Sequence, residues 1–176
     1  MGMIGALWGL MGVILLLGSA VYRLTPLAVQ AFTYEMLWYH WVFLALVLFF
    51  MAYAEGYRAF QKGFSPRVAA RARYLRTHRN NLHLILAPLF CMGYFHAPKR
   101  RRVTSISVTL GIIALVILVR LLPQPWRGIV DAGVVVGLAW GLISLLIFAA
   151  QAFRAQEFPY APEVPEEKLS EANELP

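Results

Sequence analysis

Four stretches of this chain, residues 3–22, 37–54, 103–122 and 128–151, are almost wholly apolar, with Arg120 and Asp131 as the only acidic or basic residues inside them. A helix of about 20 residues rises 1.5 Å per residue and crosses a hydrocarbon core of about 30 Å. Lipid offers no hydrogen bonds to a backbone, so a spanning segment must satisfy its own N–H and C=O groups, as a helix does. The stretches are continuous rather than alternating, which selects helices over barrel strands. Composition agrees: 60% of residues are hydrophobic and 14% charged, against about half and a quarter in soluble domains. The expected fold is an all-α integral membrane protein with four transmembrane helices. A single membrane domain covers 1–154, and an acidic tail, 155–176, has too little to bury and is expected to be disordered.

Between the second and third spans lies a basic segment, 55–102. Ser65-Pro66 reads as an N-cap followed by proline in the first helical position. An Ala- and Arg-rich helix is expected from Pro66 to about His78, on the membrane surface or extending into the cytosol. Residues 82–97 are apolar but short and are interrupted by Pro88. Were they to cross, the two basic clusters would face opposite sides, against the positive-inside bias. A re-entrant or interfacial hairpin keeps both clusters together and is favoured over a fifth span. The first span is favoured as uncleaved, because no basic residue precedes it and it exceeds a usual signal-peptide core.

Eleven Lys and Arg lie between Arg58 and Arg102, whereas the loops on the opposite side hold Arg23 and Arg127. Both termini are therefore expected in the cytoplasm, in a bacterial-type inner membrane. The net charge of +7 conceals a tail of −5 and a remainder of +12. Basic residues flanking apolar spans point to anionic lipid headgroups rather than nucleic acid. A docking face of Arg67, Arg71, Arg73, Arg76, Arg79, Lys99, Arg100, Arg101 and Arg102 is expected, for lipid or a membrane-protein partner. The acidic tail is a candidate cover for that face in the same molecule.

Two further constellations stand out. Gly5 and Gly9 on the first span, and Gly133, Gly137 and Gly141 on the fourth, form small-residue stripes that admit close helix approach. They are expected to pack those two helices together, with a homo-oligomer interface as the alternative. Arg120 and Asp131 face each other across a Pro-rich turn and are expected to form an intramembrane ion pair, since isolated charge in lipid is costly. His40, His78, His83 and His96 match no metal or haem spacing, and the lone Cys91 is expected to be a buried apolar group. No catalytic motif occurs, so no cofactor, metal or catalytic residue is assigned and the reading leans away from an enzyme. The expected role is a non-enzymatic accessory, assembly or scaffold component. A small oligomeric transporter or channel comes second and a lipid-modifying enzyme third.

Overall fold

A computed structural model describes residues 2–77, 85–155 and 157–164, and every regular element among them is helical. Helix α1 spans Gly2–Gln30 and ends in a 3-10 turn, Ala31–Thr33. Helix α2, Trp38–Met51, runs on through a π-helical segment, Ala52–Phe64, into α3, Ser65–Thr77. A short α4, Ala87–Cys91, follows, then α5, Lys99–Arg120, and α6, Trp126–Arg154. Four helices are long and apolar enough to cross a membrane: Gly2–Thr33, the continuous Trp38–Arg76, Lys99–Arg120 and Trp126–Arg154.

The loop expected after residue 23 is largely helix. Arg23 and Pro26 lie within α1, and the Thr25 hydroxyl donates to the Val21 carbonyl at 2.7 Å. The second span is longer than its apolar stretch. At 39 residues it reaches roughly 55 Å, well beyond a bilayer core of about 30 Å. In the π segment, i→i+5 bonding widens the turn. Gly56 there meets the Trp140 side chain of α6, and Phe60 lies over Gly141.

The core lies between α1, the Trp38–Thr77 helix, α4 and α6. Ala6, Leu10, Val13 and Leu17 of α1 meet Val68, Ala72 and Leu75 of α3, Phe90 and Cys91 of α4, and Leu138 and Leu145 of α6. Helix α5 stands apart. No residue in its most apolar stretch is buried, whereas about a third of the equivalent stretches of α1 and α6 are. Its contacts lie in its first half and at its C-terminal end: Ser105 and Thr109 bond Met92 and Tyr94 of the hairpin, and the Pro-rich turn joins it to α6.

The small-residue stripe of α6 meets a different helix from the one expected. A Cβ on Gly133 would strike Val47, one on Gly137 would strike Glu55, and one on Gly141 would strike Phe60, all on the Trp38–Thr77 helix. The glycines of α1 admit other neighbours: Gly9 lies against Cys91 and Ala87, and Gly12 against Pro88. Helices α1 and α6 still pack extensively, through Gly128 against Leu27 and the adjoining Ala31 and through larger side chains such as Leu10, Leu138 and Leu145. Gly5 is buried in α1.

The Arg-rich helix α3 packs one face into the bundle. Val68, Ala69, Ala70, Ala72 and Leu75 are buried, because the small alanines let α3 settle between α1 and α6. Ser65 does not cap it, since the helix arrives already wound from the π segment. Its hydroxyl instead meets Ser144 of α6 at 2.6 Å.

Candidate functional site

The start of α1, helix α3, the start of α5 and the end of α6 gather at one end of the bundle. Gly2 lies against the Arg76 carbonyl, Arg73 donates to the Ala155 carbonyl at 3.1 Å, and Arg101 pairs with Glu163 just beyond α6. Most of the basic residues are therefore brought to this end, where α3 supplies Arg67, Arg71, Arg73 and Arg76 and α5 supplies Lys99 through Arg102.

Arg71 organises this end. It is 2% exposed, yet all five of its N–H donors find acceptors. Nε donates to the Phe90 carbonyl at 2.6 Å, and Nη2 to the carbonyls of Phe95 and His96 at 3.0 and 2.9 Å. Nη1 donates to the carbonyls of Pro162 and Glu163, both at 3.2 Å. The guanidinium also lies over the Phe90 ring, 4.3 Å from its centroid, a favourable cation–π geometry. One side chain thus joins α3, the hairpin and the segment after α6. The hairpin presents its carbonyls by a sharp reversal, with Gly93 at φ +82° and His96 at φ +48°. Cys91 beside it is buried, which pushes its thiol up to about 12.

The segment 157–164 forms a strap across this end. Arg101 grips the Glu163 carboxylate with Nε and Nη2, at 2.5 and 2.8 Å, the two-pronged geometry that makes Arg–carboxylate pairs strong. Tyr160 packs edge-on against Phe148 of α6, and Val164 rests on the core. Over 157–164 the tail makes these contacts because buried and half-buried arginines supply bonds that composition does not reveal. Between strap and α3 lies an open cleft of about 440 Å³ lined by Arg73, Tyr74, Glu157 and Tyr160 among others. Lys99, Arg100, Arg102 and Arg76 are exposed, whereas Arg67 is half-buried within reach of Arg101 and Glu163. Arg79, His78 and His83 lie outside the described residues.

At the opposite end, Asp131 is 5% exposed, and its ionic partner is Arg127, at 3.7 Å, not Arg120. The reason is local: Arg127 sits one turn earlier on the same helix, whereas Arg120 ends α5 exposed where that helix diverges from α6. His40 is buried; its Nδ1 accepts the Leu37 N–H at 3.1 Å and caps α2, and its ring meets Trp126. Among the described residues, no group of three or more His, Cys, Asp or Glu is placed to hold a metal.

Glu55 is not among the residues singled out from the sequence. Its Oε2 is buried without a hydrogen-bond partner, directly beside Gly137. The signal was available in spacing: Val47, Met51 and Glu55 recur every four residues, as do the glycines they meet. Ridges of i±4 spacing commonly pack this way.

The chain is thus a helical bundle with four helices compatible with a multi-pass membrane protein. No family model, curated protein or solved structure matches it.

Proposed function

We propose that the protein is a multi-pass inner-membrane accessory or scaffold component, non-enzymatic, with both termini cytoplasmic and its basic end docked on anionic lipid headgroups. The observation that supports this reading most is the division of labour among the arginines. Arg71 is buried and bonded to the hairpin and to the segment after α6, whereas Arg76, Lys99, Arg100 and Arg102 stay exposed. Cations near an anionic leaflet each contribute about 1 kcal/mol of attraction, a term that weakens with salt. The test is lipid retention by the protein in nanodiscs, read by native mass spectrometry with phosphatidylglycerol competing against phosphatidylcholine. Wild type should hold phosphatidylglycerol preferentially, and replacing Arg76, Arg100 and Arg102 with Gln should reduce that preference at least about tenfold. Equal retention of both lipids by wild type would overturn the assignment.

A second reading, a small oligomeric transporter or channel, is favoured by Glu55. A buried carboxyl oxygen without a hydrogen-bond partner, set against Gly137 between two helices, is the type of group that ion and proton pathways employ. Proton or cation flux in proteoliposomes that disappears in Glu55→Gln, while the variant still folds, would put this reading first.

A further inference from the structure

Glu163 occupies a place suited to a phosphate. Its carboxylate takes two donors of Arg101, and the strap backbone on either side of it, at Pro162 and Glu163, takes both Nη1 donors of Arg71. Lifting the strap therefore vacates four guanidinium donors from two helices at once. Arg67 lies within electrostatic reach of both Arg101 and Glu163, and Arg71 of the same two groups. Arg101 repels both Arg67 and Arg71, and the single carboxylate compensates only one of the three charges. The cluster keeps an excess of positive charge even with the strap in place. Forked guanidinium donors bind phosphate oxygens in the same two-pronged way as a carboxylate.

We infer that Arg67, Arg71 and Arg101 form a binding site for the headgroup of a net-anionic phospholipid, whose phosphodiester lacks the choline cation that neutralises it in phosphatidylcholine, and that Glu163 fills this site from within the same chain until lipid displaces it. This rests on the reading that the basic end docks anionic lipid, and adds to it a defined site and a tethered competitor. Position favours a lipid as the source of the phosphate. Arg101 opens α5, the helix whose apolar surface is uncovered along most of its length, so a lipid lying along α5 brings its headgroup to Arg101. The side chains of Arg101 and Glu163 are 27% and 36% exposed, so the pair is accessible to exchange.

The experiment uses the full chain in nanodiscs, with a nitroxide on Ala161→Cys in a Cys91→Ala background. Two quantities are followed as phosphatidylglycerol replaces phosphatidylcholine: mobility of the label and number of retained phosphatidylglycerols. In pure phosphatidylcholine the label should be immobile, and it should loosen as phosphatidylglycerol rises. Glu163→Gln should loosen it in phosphatidylcholine alone and raise phosphatidylglycerol affinity about fivefold, the value of one partly exposed ion pair. Arg101→Gln should loosen the strap equally yet lower that affinity, which separates loss of the competitor from loss of the site. Preferential retention of phosphatidylglycerol with a label that never moves would overturn the competition while leaving the basic-end reading intact. No preference in any variant would overturn both. Inorganic phosphate that loosens the strap in phosphatidylcholine, where phosphatidylglycerol does not, would overturn the lipid as ligand.

Discussion

Helices α5 and α6 are nearly equal in mean hydropathy and differ completely in what surrounds them. Both are long enough to cross a bilayer, but α6 buries eleven residues and α5 buries only Val119. The difference lies in small residues. Gly133, Gly137 and Gly141 let α6 approach the Trp38–Thr77 helix until side chains meet backbone, whereas Gly111 of α5 has nothing within 4 Å. Lipid tails are as apolar as leucine, so hydropathy alone cannot draw helices together inside a membrane; close packing and polar contacts must. Apolarity determines that a helix enters the bilayer, and small residues determine which helices touch once there.

That contrast can be broken by substitution on either side of it. The largest loss is expected for Arg71→Met, which leaves five carbonyls without their donor in the packed part of the molecule. Stability should fall by at least about 3 kcal/mol in mixed-micelle unfolding. The same variant should expose Cys91 to maleimide, against which the wild-type thiol, buried and pushed up to about 12, should be protected at neutral pH. Gly141→Leu comes next. Its Cβ would lie 2.5 Å from the Phe60 ring, and such overpacking costs about 1–3 kcal/mol by the same measurement. Asp131→Asn should cost less than about 1 kcal/mol, because its ion pair with Arg127 is long and partly exposed. Gly111→Leu on α5 should change stability by no more than about 0.5 kcal/mol. A large loss there would mean that α5 is packed after all, and the contrast would collapse.

The four long apolar helices were legible because they depend on a local property summed over about 20 residues, and uncharged stretches display it directly. Close packing around Gly133, Gly137 and Gly141 was legible too, but its partner was not, since a glycine stripe specifies a distance and not a neighbour. The Arg127–Asp131 pair was visible as an i, i+4 spacing and was passed over for the pair across the turn. Burial of α3 was harder to see. Four charged side chains outweigh Val68, Ala69, Ala70 and Ala72 in any average, yet those small residues decide where the helix lies. The cradle around Arg71 had no local signature. Its acceptors are backbone carbonyls between 19 and 92 residues away in the chain, and carbonyls carry no residue identity.

The reach of that cradle has a consequence for how the protein is made. Arg71 leaves the ribosome 92 residues before Glu163, the farthest of its acceptors. At about 5–20 residues per second, the gap lasts on the order of ten seconds. During that interval the guanidinium has hairpin carbonyls for three of its donors and none yet for Nη1. A nascent chain that stops short of Pro162 therefore differs from a finished one at two cationic groups, Nη1 of Arg71 and the fork of Arg101 that awaits Glu163, and a protease or chaperone that reads loose cationic ends has in them a means to tell an incomplete copy from a complete one.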